Sequence, residues 1–140
     1  MNDIVINKIQ SIQRCVKRAR EEYAANPAGF DTDYTRQDAA VLNVLRACEL
    51  AIDLANHIIK SEKLGIPNTS VDSFELLRKK FVLDDALMGK MKNMVHFRNL
   101  IVHQYTTLDM EIVKKVIQED LQDLVLFTDW IVEYSGSRSS

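Results

Sequence analysis

The chain has 140 residues, 46% of them hydrophobic and 27% charged, with a formal net charge of −2. A domain of this length buries a core without disulfide or metal staples, and the slightly acidic balance argues against a general nucleic-acid coat while leaving room for a local basic groove. Four glycines and two prolines favour long helices over a turn-rich β fold; no apolar run nears the ~18 residues of a membrane span; and the opening MNDIVINKIQ lacks the pattern of a secretory signal, so a cytoplasmic setting is expected.

The first predicted helix runs from about Asn2 to Ala25. Val5, Ile9, Ile12, Val16, Ala19 and Tyr23 alternate at four and three, a single apolar stripe. Arg14, Lys17, Arg18 and Arg20 put a basic cluster on the same segment, which by itself reads as a solvated face. "NPAG" at 26–29 stops the helix. A second helix follows, capped by Asp33 or Thr35 and continuing to about Leu64, where Gly65 and Pro67 end it. A short third helix follows "NTSVD", with Asp72 and Glu75 in the spacing of a capping box and Arg78, Lys79 and Lys80 as a second basic run. The fourth starts near Asp84 and reaches at least Arg98. The fifth spans about Asp109 to Tyr134, with Val113, Ile117, Leu121, Leu124 and Ile131 inward. Residues 1–134 thus read as one all-α domain, an antiparallel bundle of about five helices, with residues 135–140 a frayed tail. Cys15 and Cys48 lie on separate helices without metal-ligand spacing and read as buried free thiols. His57 forms no metal-site pattern with His96 or His103.

The second helix is apolar around most of its circumference, from Val41 to Ile59. Such a helix is buried on several sides, more than a chain of this size readily covers, which favours a dimer. Its exception is a narrow polar stripe of Arg46, Glu49, Asp53, Asn56 or His57, and Lys60. The stripe is either a solvent strip of intrahelical ion pairs or a wall facing a cleft or a second subunit.

The segment "RNLIVHQY" from Arg98 to Tyr105 concentrates the chemistry. Arginine offers phosphate a planar, permanently charged fork. Histidine moves protons near neutrality, and tyrosine orients an oxygen or stacks on a base. Together they suffice for RNA cleavage without a metal: His103 takes the proton of a 2′-hydroxyl, the alkoxide attacks the adjacent phosphorus, and Arg98 meets the growing charge. Asn99 would hold ribose or phosphate. In a continuous helix Arg98 and His103 point about 140° apart while Arg98 and Tyr105 share a face. A break after Asn99, where the β-branched Ile101 and Val102 weaken helical preference, would instead let Arg98 and His103 converge.

"MVHFRNLIVHQY" resembles the Met-Val-Gly-Phe-Arg-Asn-x-x-Val-His-x-Tyr block of the HepT toxin group of HEPN nucleases, and "AIDLANHII" and "LGIPNTSVDSFELL" resemble further segments of that group in the same order. The resemblance implies an all-helical homodimer with clefts at the interface. It implies a metal-independent endoribonuclease toxin that acts on RNA and needs no cofactor. By position, Arg98 and His103 are its catalytic residues, and Asn99 and Tyr105 position the substrate. Tyr105 matches the tyrosine to which an MntA-like minimal nucleotidyltransferase antitoxin transfers AMP. Glu49, Asp53 and His57 of the polar stripe are candidates to support the cleft. His96 stands where the group often has glycine, which puts the local backbone in question. The competing expectation is a non-catalytic module that binds nucleotide or substrate for the transferase.

Overall fold

The computed structural model describes residues 2–139, and every element among them is helical. The order is α1 (Asp3–Ala25), α2 (Tyr34–Ser61), α3 (Ser70–Lys79), α4 (Asp85–Gln104), a 3₁₀ turn (Tyr105–Thr107), α5 (Met110–Lys115), a π-helical turn (Val116–Asp120) and α6 (Leu121–Ser139). The expected fifth helix is therefore α5, the π turn and α6 in unbroken succession. It extends past Tyr134 to Ser139, and Ser140 lies outside the described residues.

Each helix start has a side chain that satisfies a free amide. Asn2 Oδ1 accepts from Val5 N at 2.9 Å, and Asp84 Oδ1 accepts from Leu87 N at 2.8 Å. Of the two caps expected for α2, Asp33 serves, accepting from Arg36 N at 3.2 Å. The capping box of α3 differs from expectation: it is Thr69 and Asp72, not Asp72 and Glu75. Thr69 Oγ1 accepts from Asp72 N, and the Asp72 carboxylate accepts from Thr69 N. The reciprocal pair lies one turn earlier because the hydroxyl of Thr69 already stands at the last extended residue. α2 stops at Ser61, and Gly65 leads the chain away at φ +145°, where a Cβ would meet Leu76.

The ends of the helices pair in a way that fixes the topology. Asn2 meets His57 and Glu22 meets Arg36, so α1 and α2 are antiparallel. Arg98 meets Glu49 and Tyr105 meets Asp38, so α4 runs against α2. Lys90 meets Asp123 while Phe97 shares a groove with Val116, and Arg20 meets Gln122 while Tyr23 meets Gln118, so the α5–α6 segment runs antiparallel to both α4 and α1. The result is an up-down-up-down bundle of α1, α2, α4 and the α5–α6 segment, with α3 bridging α2 and α4.

Phe74 and Phe127 pack edge to face at 5.6 Å in the core, beside Leu54, Leu87, Met91 and Leu124. α2 touches α1, α3, α4 and α6. Its apolar circumference is thus covered by its own chain, and among its large apolar residues only Leu42 and, in the first turn, Tyr34 stand exposed. The buried girth of α2 does not by itself demand a second copy, because α3 folds over the side that a plain bundle would leave open. Cys15 and Cys48 are free and buried. No described helix is long and apolar enough to cross a membrane.

Candidate active site

The end of α4 carries the motif. α4 keeps helical geometry through Gln104, and the break comes at that residue, where φ is −137° and ψ is 35°. The break expected after Asn99 is absent. Ile101 is buried in the core, and packing there outweighs the weak helical preference of a β-branched side chain. Consequently Arg98 and His103 leave the helix about 140° apart, while Arg98 and, just past the break, Tyr105 both reach α2.

Arg98 Nη2 donates to Ser70 Oγ at 2.8 Å, and its Nε lies 3.5 Å from Glu49 Oε1. The second contact is an ion pair without hydrogen-bond alignment, so the buried Nε–H has no acceptor. The guanidinium is held by one neutral hydroxyl and one carboxylate, with part of its donor fork unspent. Beneath it lies Cys48, whose thiol is pushed up to about 12, first by burial, then by the Glu49 charge, with the Arg98 charge acting the other way. A thiol so placed stays neutral and serves as packing.

At the other end of the motif the Tyr105 hydroxyl donates to Asp38 Oδ1. That bond, with some burial and the carboxylate charge, pushes the phenol up to about 12. Tyr105 nevertheless keeps 47% of its surface exposed, so a second macromolecule can reach it. Val102 lies between Arg98 and Tyr105 and is also exposed, as is Leu42 between Asp38 and Glu49 on α2. Two charged or polar anchors therefore flank a small apolar strip.

The remaining candidates are dispersed. Asn99 is half-buried and His103 is exposed. Glu49 reaches Arg98. Asp53 lies one turn further along α2 and lines a groove against α1. His57 pairs with Asn2 at the far end of α1, 3.5 Å away, and so is not brought into contact with Arg98. His96 is exposed on regular helix without a positive φ, so the missing glycine changes nothing in the backbone. Among the described residues no group of three or more His, Cys, Asp or Glu is arranged to hold a metal ion.

The basic cluster of α1 divides. Arg14 and Arg18 border the groove with Asp53, whereas Lys17 turns to Glu21 at 3.9 Å and Arg20 donates to Gln122. Lys17 and Arg20 border a separate groove with Val125. Ser70 and Asp38 were not foreseen. Asp38 lies eleven residues before Glu49, three turns along the same face of α2, so extending the polar stripe upstream would have reached it. Ser70 follows the cap of α3 and carries no signal of its own.

Residues 12–131 match the family described as ribonuclease HepT-like. The chain is 45% identical over 131 residues to an mRNA nuclease HepT of Shewanella oneidensis, an alignment covering 94% of this chain and 98% of that protein. Its fold superposes with a TM-score of 0.89 on the tri-AMPylated Shewanella oneidensis HEPN toxin in complex with an MNT antitoxin, at 44% identity over 95% of this chain and 99% of the other. A toxin–antitoxin structure with AMP-PNP gives the same TM-score at 43% identity over 94% and 99%.

Proposed function

This chain belongs to the HepT-like ribonuclease family, and from that premise we propose that it is a cytoplasmic, metal-independent endoribonuclease toxin, silenced by AMP transfer from an MntA-like nucleotidyltransferase. The observation that carries the reading is the place of Arg98, Asn99, His103 and Tyr105 together at the end of α4, in a chain so closely similar to an mRNA nuclease.

The chemistry follows from what each group can do. Arg98 is permanently charged and lies against a carboxylate and a hydroxyl that anchor it without saturating it. An RNA phosphate in front of it gains a bidentate partner, and the extra negative charge of the transition state strengthens that contact. His103 is exposed and free to approach a 2′-hydroxyl. It accepts that proton as the oxygen attacks phosphorus; the bond to the 5′-oxygen breaks, and a 2′,3′-cyclic phosphate remains. Asn99 holds the ribose or a non-bridging oxygen.

One continuous helix does not aim Arg98 and His103 at the same point. We infer that a two-fold homodimer packed across the exposed strip of Leu42 and Val102 supplies the convergence, with His103 of each copy serving Arg98 of the other. Both apolar residues, 44% and 52% exposed, then gain cover.

Tyr105 receives AMP in this account. Its hydroxyl, like the Arg98 guanidinium, reaches α2, so the added phosphate competes with RNA for the guanidinium and repels the RNA backbone. No refolding is needed.

The test uses the full-length chain with RNA in the presence of chelator. The parent should leave 2′,3′-cyclic ends. Folded His103→Ala and Arg98→Ala variants should lose the reaction by at least two orders of magnitude. Co-expression with the transferase should add AMP masses to the peptide holding Tyr105. Parent-rate cleavage by either variant, or AMP on another residue, contradicts the assignment. The splay of Arg98 and His103 within one chain also favours a second reading, a module in which Arg98 only holds nucleotide phosphate. It predicts tight nucleotide binding and no cleavage by the parent.

A further inference from the structure

Arg14 and Arg18 of α1 and Arg46 of α2 line one groove of about 480 Å³. They differ from the other described arginines. Arg20 is engaged by Gln122, Arg36 by Glu22 and Asp33, Arg78 by Asp85, and Arg98 by Ser70 and Glu49. Among the arginines whose side chains the structure describes, those with no ion pair or side-chain hydrogen bond all face this groove. Helical spacing explains the convergence: 14 and 18 are one turn apart on α1, and Arg46 lies where antiparallel α2 passes them.

The acidic residues of the groove do not cancel them. Glu49 also lines it, but its charge is matched by Arg98 behind it. Asp53 is the other carboxylate. Counting Arg98 with the three groove arginines, four guanidiniums stand against the carboxylates of Glu49 and Asp53, a surplus of two positive charges in a chain whose net charge is −2. Leu45 and Leu50 give the groove an apolar floor. Glu49 is shared between the groove and the Arg98 site, so the two are continuous.

We propose that the groove of Arg14, Arg18 and Arg46 is the track that holds the sugar-phosphate backbone of single-stranded RNA and feeds it to Arg98. The inference takes its ligand from the nuclease reading. A track of unpaired guanidiniums about 6 Å apart along α1 suits successive phosphates of an extended strand. The apolar floor covers sugar and base faces without reading sequence.

The experiment measures binding of a labelled single-stranded RNA oligonucleotide across a salt series, on a His103→Ala background that keeps the RNA intact. Replacing Arg14, Arg18 and Arg46 together with alanine should weaken binding at least about tenfold at moderate salt. It should lower the slope of log affinity against log salt by about 2, since each lost single-strand phosphate contact removes roughly 0.7. Replacing the three with lysine should restore most of the slope. Lys79→Ala with Lys80→Ala, on a remote surface, should leave it unchanged. With His103 restored, the triple-alanine chain should cut a dinucleotide at the parent rate while losing long RNA.

A folded triple-alanine variant that binds RNA with the parent slope overturns the proposal, and does so alone if the parent still cleaves. A parent that binds with this slope yet never cuts overturns the nuclease reading and leaves the track standing. A change in oligomeric mass on triple substitution would make the groove a seam between copies and also overturns the proposal.

Discussion

The Tyr105 phenol donates to the Asp38 carboxylate, and that partner, more than burial, pushes its pKa up to about 12. The neutral phenol is therefore the favoured form in the native state. The stabilisation this adds is fully present below the ordinary tyrosine value of about 10 and fades as pH rises through about 12. Absorbance titration of the parent against a Tyr105→Phe reference should reveal a late phenol. Asp38→Asn should bring that midpoint back toward about 10. An unmoved midpoint would mean that Asp38 is not the cause. At this scale the sequence was informative about which groups carry the chemistry and silent about what they touch. Arg98, His103 and Tyr105 announce themselves by residue type within eight positions. Ser70 and Asp38 become their neighbours only through the alignment of α4 with α2 and α3, which no local spacing encodes.

Helix ends were legible where one signal stood alone, as at Asp84, and ambiguous where signals competed, as between Asp33 and Thr35. In "NTSVDSFE" both Thr69–Asp72 and Asp72–Glu75 have the spacing of a capping box, and the structure uses the first. Because Phe74 and Leu77 of α3 are buried in the core, fraying at Thr69 is felt by the whole domain. Thr69→Ala should cost about 1 kcal/mol, lowering the melting midpoint by roughly 3–5 °C, and Thr69→Ser should lose little. A midpoint unchanged in Thr69→Ala would show that the box contributes nothing to stability. The end of α4 was harder to read. Ile101 and Val102 suggested a break that the buried Ile101 does not permit, and the chain turns only at Gln104. The π turn at Val116–Asp120 left no mark in the apolar periodicity.

The bundle as a whole follows from stripes that the sequence shows plainly. The four long helical segments have apolar faces, and short connections leave them little choice but antiparallel packing. The exceptional girth of α2 was read as a reason for a second subunit, yet α1, α3, α4 and α6 cover it within one chain. What points to a partner copy is smaller and more specific. Leu42 and Val102 are exposed between the Arg98 and Tyr105 anchors, and a continuous α4 sends Arg98 and His103 in different directions. Mixing separately inactive Arg98→Ala and His103→Ala chains, after unfolding and joint refolding, tests this most directly. If each cleft draws its guanidinium from one copy and its imidazole from the other, mixed dimers regain one intact cleft, and RNA cleavage should return to about a quarter of the parent rate. Cleavage that stays at the level of the two separate variants, with mixed dimers demonstrably formed, would contradict the shared cleft.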